Sequence, residues 1–323
     1  MYVARTQGFL AQQGINLTTR AVTGAVLVSS LLAGQTNFAV TGLNSLLPAW
    51  LQGQQFSVLS TVGFTGNDAG GILVSNAAYD SGIRNVSQLH GQRVGSLAPP
   101  GGAYYIASVL YPKYFNVNYT VITFSSVTTE INALKTGQIV AMVAVSIANM
   151  QTYTQAGLGK TMLDPATVTP AIWNKILTAY GYPSPNGAYQ SSATVFTTPS
   201  YIQQNPKVVQ GFMNALTEAY AWIQAHNTTQ VVNSLEADPF VSAALNSSAL
   251  IPDIAYFQNY ESPSLNMTSS IYISSLNFAL ATNPAYAGNQ TKLLGSYNAL
   301  VNPTFTNAAT WCYNAVSWNK NTG

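Results

Sequence analysis

The sequence predicts an α/β protein built from two similar halves. One observation is a repeat: residues 32–40 (LAGQTNFAV) return as residues 134–143 (LKTGQIVAMV). Each copy has the pattern of a helix end, a glycine suited to a left-handed cap, and a short apolar strand. The other observation is that both strands end in small polar residues, which is where open α/β sheets bind ligands. We therefore expect two lobes that face a cleft.

The elements of the first half follow from apolar periodicity and from glycine positions. A helix is predicted over 4–13 and ended by Gly14, followed by an alternating strand over 15–23. Gly24 begins a second helix, which leads into the first repeat strand. Later elements are a strand at 36–40, a helix at 44–52, a strand at 56–62 that 71–75 extends, and a turn with a short helix at 80–89.

The pattern restarts at Arg93. Strands are predicted at 94–97, 119–124 and 139–145, with helices at 103–115 and 128–136. Residues 181–191 are rich in Pro and Gly and read as a return to the first lobe, which continues with a strand at 193–197 and an amphipathic helix at 207–226. The expected domains are 1–91 with 192–323 for lobe 1, whose first strand is missing before Met1, and 92–191 for lobe 2.

The chain has very few charged residues. They form 6% of the sequence, 47% of the residues are hydrophobic, and the net charge is +2. Nucleic acid is not an expected partner, because the small net charge and the singly scattered Lys and Arg predict no basic surface of the kind that neutralises phosphates. A surface with few carboxylates loses little charge pairing in acid, so we hypothesise an extracellular protein exposed to acid. The alternative is a surface covered by neighbouring subunits or glycans.

The sequence offers little for catalysis or metal binding. Cys312 is the only cysteine, and His90 and His226 stand far apart. Glu130 and Asp164 are isolated carboxylates, and no nucleophile-elbow, phosphate-loop or zinc motif occurs. We therefore expect no enzyme activity, no metal and no cofactor.

Several features fit an exported protein. No apolar run is long enough to span a membrane. The sequence shows no signal sequence at its start, so we expect a mature, exported form or a fragment of one. We expect an extracellular or cell-surface location, with membrane association through an anchor outside this sequence. Candidate glycosylation sequons are Asn16, Asn85, Asn118, Asn227, Asn246, Asn266 and Asn289.

The order of motifs resembles the solute-binding proteins of ABC importers, of the nitrate/sulfonate/taurine and thiamine-precursor type, as an archaeal-type extracellular member. The segments that carry the resemblance are 8–15 (GFLAQQGI), 32–40, 80–83 (DSGI), 89–95 (LHGQRVG), 134–138 (LKTGQ) and 205–212 (NPKVVQGF). The resemblance extends from about residue 8 to residue 305. Basic residues near the expected cleft are scarce compared with the family.

The resemblance implies a two-lobe periplasmic-binding-protein fold of the Venus flytrap, type II kind, in which each lobe is a mixed sheet flanked by helices. It implies capture of a small polar or anionic solute in the cleft and delivery to an ABC permease in the membrane. A second hypothesis keeps the fold but gives it a structural role, as a cell-surface or filament subunit assembled by strand exchange. The size of the particle in solution discriminates between the two.

Candidate ligand-binding residues lie at strand ends and helix starts. Gly101 and Gly102 are the best candidates, because backbone N–H groups at a helix start are free and the helix dipole favours negative charge there. The aromatic Tyr104 and Tyr105 could stack on a planar solute. Each position has a structural alternative, a plain turn between strand and helix or a core tyrosine. The remaining candidates are Thr23, Gly24, Thr41, Gly42, Asn44, Phe64, Thr65, Asn67, Asp68, Ser146, Tyr189 and Gln190.

Overall fold

The computed structural model describes residues 1–20, 22, 24–64, 70–99, 102–183, 190–260 and 264–315. The chain divides into two compact units. Unit 1 comprises 1–63, 193–269 and 295–323, and unit 2 comprises 64–192 and 270–294.

The described elements alternate between strands and helices through residue 197, and helices follow from there. The strands are β1 (Ala39–Thr41), β2 (Ser57–Phe64), β3 (Gly71–Ser75), β4 (Arg93–Leu97), β5 (Thr120–Phe124), β6 (Ala141–Val145), β7 (Gly159–Leu163) and β8 (Ser191–Thr197). The helices up to β8 are α1 (Tyr2–Thr6), α2 (Phe9–Gln12), α3 (Gly24–Leu32), α4 (Leu47–Leu51), α5 (Asn76–Asp80), α6 (Gly102–Tyr105), α7 (Tyr111–Tyr114), α8 (Val127–Lys135), α9 (Ile147–Gln155) and α10 (Pro170–Thr178). The later helices are α11 (Pro199–Gln204), α12 (Pro206–Ala225), α13 (Thr228–Glu236), α14 (Pro239–Ser242), α15 (Ser247–Tyr260), α16 (Ser269–Thr282), α17 (Gln290–Leu294), α18 (Tyr297–Leu300) and α19 (Thr304–Ala315).

Unit 1 is a three-stranded sheet in the order β1-β8-β2. β1 runs antiparallel to β8, with Ala39 opposite Phe196. The apolar stripe of α12 packs in one core with Leu59 and Val195 of the sheet. Phe38, just before β1, stacks on Phe212 of α12 with ring centroids 4.2 Å apart. Burial of this stripe explains why 206–225 forms a long helix, because tertiary packing contributes most of a helix's stability.

Unit 2 contains a mixed five-stranded sheet in the order β5-β4-β6-β3-β7. β4 is parallel to both β5 and β6, whereas β3 is antiparallel to β6 and β7. Both faces of this sheet are covered. Ile72 and Val74 lie in one core with residues 106–111, and Leu73 lies in the other core with residues of α8 and α9. The strands therefore read as continuous apolar runs, as expected for strands buried on both faces.

Three predictions for unit 1 need correction. The predicted helix over 4–13 is two short helices, because Gly8 adopts a left-handed φ of +78° between α1 and α2. No strand forms over 15–20: Ile15 and Leu17 pack into the unit 1 core, while Asn16 and Thr18 are exposed. That segment alternates because one side of an extended chain is buried, without a strand partner. The predicted helix at 44–52 is a 3₁₀ turn at Leu43–Ser45 followed by α4.

The first domain boundary lies earlier than the sequence predicts. The sequence placed it after residue 91, whereas the structure places it after residue 63. The reason is β3: instead of extending β2, it pairs with β6 and β7 in the unit 2 sheet. Residues 270–294 also belong to unit 2, although the sequence assigned them to lobe 1.

Candidate functional site

The carboxyl ends of three parallel strands meet at one edge of the unit 2 sheet. The chain runs β4, β5, β6, but the strands lie in the spatial order β5-β4-β6. The helical segment after β4 and the helix after β5 cover opposite faces, since Ile106 and Leu110 lie in one core and Ala133 and Leu134 in the other. The strand order therefore reverses between β4 and β6. Ligands of open α/β sheets bind outside the carboxyl ends of the strands at such a reversal.

The two strands separate before they reach this edge. β4 pairs with β6 through Val94 and Gly95, while its last residues continue to pair with β5. The end of β6 instead pairs with β3, where Val145 lies opposite Gly71. We call the edge between these ends the switch-point site and define it by Gly102, Tyr104 and Ser146.

Gly102 begins a continuous helical run over 102–114, which consists of α6, a π-helical segment and α7. A Cβ atom built on Gly102 would lie 3.7 Å from Cζ of Phe278, so the Phe278 ring lies beside the start of this helix. The first N–H groups of a helix have no partner within it and carry partial positive charge. Gly102 thus presents unprotected backbone donors at the switch-point site.

The π-helical segment Ile106–Leu110 follows directly. The Tyr119 hydroxyl donates to the carbonyl oxygen of Ala107 at 2.7 Å, and the Tyr180 hydroxyl donates to the carbonyl oxygens of Val109 and Leu110. Burial raises the pKa of Tyr180 to about 12 and also raises that of Tyr119, so both hydroxyls keep their protons. A π-helical turn is wider than an α-helical turn and moves carbonyl groups out of the usual hydrogen-bond positions. The two tyrosine hydroxyls provide these carbonyl groups with partners. Segments of this type are frequent at functional sites.

Ser146 follows β6 and caps α9. Its backbone is extended, and its Oγ accepts a hydrogen bond from the Asn149 N–H at 3.3 Å. Ser126 caps α8 in the same way after β5, with the Thr129 N–H at 3.2 Å. The two serines differ in position, because β6 borders the reversal and β5 is the edge strand. A hydroxyl that accepts a capping bond still has a proton to donate, so Ser146 can bond a ligand.

Tyrosines surround the start of the helix. The rings of Tyr104 and Tyr105 make an edge-on contact with centroids 5.4 Å apart, and both side chains are half-buried. Burial, with a smaller effect of Tyr104, raises the pKa of Tyr105. Burial and then Tyr105 raise the pKa of Tyr286 to about 12. The phenols of Tyr105 and Tyr286 are therefore neutral hydrogen-bond donors.

Among the described residues, the donors at the switch-point site are backbone N–H groups and hydroxyls rather than basic side chains. Asp164 lies just after β7 and uses its carboxylate to cap a 3₁₀ turn, accepting from the Ala166 N–H at 2.9 Å. Arg93 and Lys160 stand at the starts of β4 and β7, at the opposite edge of the sheet. The arrangement can bind polar or anionic groups through N–H groups and hydroxyls.

In unit 1, the structure brings three predicted site residues together after β1. Thr41 ends the strand, and its carbonyl oxygen accepts from the Thr194 hydroxyl at 3.0 Å. Gly42 precedes the 3₁₀ turn that contains Asn44. Gly24, also predicted, begins α3. These positions are strand and helix ends, as the sequence predicts, and their role in binding stays a prediction.

The remaining predicted site residues fall in parts of the chain without a structural description. Thr23, Thr65, Asn67, Asp68, Gly101 and Tyr189 lie outside the described residues, and for Phe64 only the backbone is described. Gln190 is buried, and its side-chain oxygen accepts from the indole N–H of Trp173. That bond gives Gln190 a structural partner within unit 2.

Two residues beside the site were missed by sequence reasoning. Phe278 and Tyr286 come from residues 270–294, which the sequence assigned to the other lobe. An apolar pattern over 269–282 marks a buried helix, but nothing in it indicates which half of the chain it joins.

The described residues also bear on metal binding, membrane spanning and glycosylation. Within the described ranges, no group of three His, Cys, Asp or Glu side chains could hold a metal ion. None of the described helices combines the length and the apolar character needed to cross a bilayer. Five sequon asparagines are exposed, whereas Asn266 and Asn289 are half-buried; the exposed ones are Asn16, Asn85, Asn118, Asn227 and Asn246.

Comparisons with known proteins agree with this fold. The NMT1/THI5-like family model matches residues 1–229. The periplasmic sulfonate-binding protein SsuA from Methylobacillus flagellatus KT superposes with a TM-score of 0.64 at 14% identity, covering 100% of this chain and 92% of its own. The periplasmic nitrate-binding protein NrtA from Synechocystis PCC 6803 gives 0.66 at 12% identity, covering 100% and 88%. A mutant of DSZB in complex with biphenyl-2-sulfinic acid gives a TM-score of 0.60 at 15% identity, covering 96% of this chain and 95% of its own.

No curated protein sequence matches the chain. The fold is thus that of the periplasmic binding proteins.

Proposed function

The chain belongs to the NMT1/THI5-like family, and from this premise we propose that it is an extracellular solute-binding protein that captures a small polar or anionic solute for an ABC importer. One observation carries the proposal: the unit 2 sheet reverses its strand order where Gly102 and Ser146 present a helix start and a capping hydroxyl. The sulfonate- and nitrate-binding proteins that share the fold support the same solute class.

The recognition chemistry follows from the groups at the switch-point site. Backbone N–H groups and neutral phenols donate hydrogen bonds, and such donors suit oxyanions, carbonyl oxygens and ring nitrogens. Tyr104 adds an aromatic surface beside them. The solute is therefore an acceptor-rich small molecule. Within the proposal the chain acts by binding, with no catalytic step.

A ligand screen tests the proposal. The intact protein is titrated calorimetrically with nitrate, taurine, longer alkanesulfonates, a hydroxymethyl-pyrimidine and an aromatic carboxylate. Saturable binding of at least one of these supports the proposal, and heats equal to dilution for all of them overturn it.

Replacing Ser146 by alanine should weaken binding of the best solute from that screen by about tenfold, because one hydroxyl hydrogen bond is lost. The substitution also removes a helix cap, which costs about 1 kcal/mol of stability. Ser126→Ala removes the same kind of cap at the end of β5 and is the matched control. Titration calorimetry and urea unfolding are measured on both variants. Equal affinities in the two variants would show that Ser146 does not bind the solute.

Adding a methyl group at Gly102 should weaken the same solute while leaving the fold intact. A Cβ there would meet the Phe278 ring at 3.7 Å, which is an ordinary contact. Alanine also favours a helix over glycine by up to about 1 kcal/mol. We therefore expect Gly102→Ala to melt at the same or a higher temperature and to bind about tenfold more weakly, because the methyl group keeps the solute from the backbone donors. Unchanged affinity would place the solute elsewhere.

A further inference from the structure

The few charges of this protein are unevenly divided between its units. Unit 2 has seven Lys or Arg against four Asp or Glu, a net charge of +3, while unit 1 has four against five, a net charge of −1. The sum is the +2 of the whole chain. In a sequence with so few charges, this division makes unit 2 the positively charged half of the protein.

Five of the seven basic residues of unit 2 lie at the amino edge of its sheet, opposite the switch-point site. Arg93 begins β4, and Lys160 is the second residue of β7, opposite Val74. Lys135 ends α8, which leads back to the start of β6. Lys113 lies in α7, at the end of the helical run from β4 to β5, and Arg84 lies between α5 and β4. We call these five residues the cationic edge.

Hydrogen bonds and strand pairing join the starts of β4, β6 and β7 and the end of β3 at this edge, so Arg93 and Lys160 lie at the same end of the sheet. The Val140 N–H donates to the Arg93 carbonyl oxygen at 2.9 Å, and the Ser75 N–H donates to that of Val140 at 2.9 Å. Ser75 in turn lies opposite Gly159, which precedes Lys160. All five basic side chains are exposed.

Among the described residues, no acidic side chain forms an ion pair with the cationic edge. The ion pair found in the part of the chain that the structure describes joins Arg5 and Asp238 in unit 1. Asp80, at the end of α5, is the exposed carboxylate on this side of the sheet. Lys113 lies over the Tyr180 ring at 4.1 Å and Arg84 over the Tyr79 ring at 5.2 Å, contacts that leave both positive charges in place.

We propose that the cationic edge docks unit 2 on the anionic headgroups of a lipid bilayer. The surface favours a bilayer over a protein partner because protein interfaces need an apolar core, from which charged residues are depleted. Among the described residues of unit 2, the large apolar side chain that is exposed is Tyr114, next to Lys113. Tyrosine beside basic residues is typical of the headgroup region. The inference goes beyond solute binding and does not depend on the solute.

Vesicle binding tests this proposal with the full chain. Sedimentation is measured with phosphatidylcholine vesicles and with vesicles of phosphatidylcholine and phosphatidylglycerol, at about 0.02 M and about 0.5 M salt. We expect binding to the anionic vesicles at low salt alone. Arg93→Gln/Lys160→Gln should weaken it about thirtyfold, because each basic residue near the surface strengthens binding about fivefold.

A charge-matched control separates the edge from net charge. Arg20→Gln/Lys207→Gln removes two exposed basic residues of unit 1 and gives the same net charge of 0, from +2 minus 2. This control should bind as the parent protein does. Equal loss in both variants, equal binding to neutral vesicles, or no binding at low salt would each overturn the proposal. Edge-dependent binding to poly-glutamate without vesicle binding would overturn it in favour of an acidic protein partner.

Discussion

The parent protein is expected to lose about 3 kcal/mol of stability as the pH rises from about 4.5 to about 7, and Glu130→Gln is expected to show no such loss. The cause is a buried carboxyl group in unit 2. Glu130 lies in the first turn of α8, is 3% exposed, and its Oε1 has no hydrogen-bond partner among the described residues.

The neighbours of Glu130 explain its burial. A Cβ atom on Gly95 would lie 3.1 Å from Oε1 of Glu130 and 2.4 Å from Cδ1 of Ile139, so the glycine in β4 makes room for the carboxyl group. The surrounding core contains Leu134, Met142 and other apolar side chains. Tyr153 of α9 is close enough that Glu130, after burial, contributes to the rise of its pKa to about 12. Within the described part of the chain, no basic side chain offsets the cost of ionising Glu130, and burial is the cause of its raised pKa.

The sign of the effect follows from proton linkage. Burial raises the pKa of Glu130 from 4.5 to about 7 in the folded protein. Above about pH 4.5 the unfolded chain releases this proton, while the folded protein retains it until about pH 7. The stabilising contribution is therefore complete in acid and is lost as the pH rises through this interval.

Urea unfolding from about pH 4.5 to about pH 7.5, with hydrogen exchange of peptides from β4 and α8, measures the effect in unit 2. Glutamine keeps the shape of the protonated side chain, so the variant should match the parent protein in acid and exceed it at neutral pH. Asp80→Asn, which removes an exposed carboxylate of the same unit, should follow the parent curve. Parallel curves for the parent protein and Glu130→Gln would show that the carboxyl group does not titrate in this interval.

Much of the fold could be predicted because local pattern and tertiary packing agree. The strands at 94–97 and 119–124 and the helix at 128–136 are confirmed within one or two residues as β4, β5 and α8. Each combines an apolar pattern with a recognisable end. The serine cap of α9 illustrates the same agreement, since the predicted site residue Ser146 follows a buried strand and begins a helix.

Partners distant in the chain could not be predicted. The pattern of 71–75 indicates a buried strand, but not that it would pair with β6 and β7 rather than extend β2. β7 itself was missed because Lys160 and Thr161 are exposed and interrupt its apolar pattern. For the same reason, Phe278 was not predicted beside Gly102. Strand pairing depends on contacts that a periodic pattern does not encode.

Gly159→Ala should destabilise unit 2 by about 3 kcal/mol, because a methyl group has no room where β7 meets β3. A Cβ atom on Gly159 would lie 2.2 Å from the carbonyl oxygen of Val74 and 3.1 Å from Cγ of Leu73. The oxygen belongs to the backbone of a central strand, so relief requires movement of β3 or β7. The pairing of Ser75 with Gly159 would be lost first.

The substitution also tests the assignment of residues 64–91 to unit 2, because β3 pairs with β6 and β7 in the sheet of that unit. Hydrogen exchange should show faster opening of peptides from β3, β6 and β7, while α12 of unit 1 retains its protection. Gly288→Ala is the matched control, since a Cβ atom there meets nothing within 4 Å. Its stability should change by no more than about 0.5 kcal/mol. If Gly159→Ala expresses too poorly to study, Leu73→Ala probes the same contact, because it removes the side chain that packs against Gly159. Undiminished hydrogen-exchange protection of β3 in Leu73→Ala would contradict the role assigned to the β3–β7 pairing.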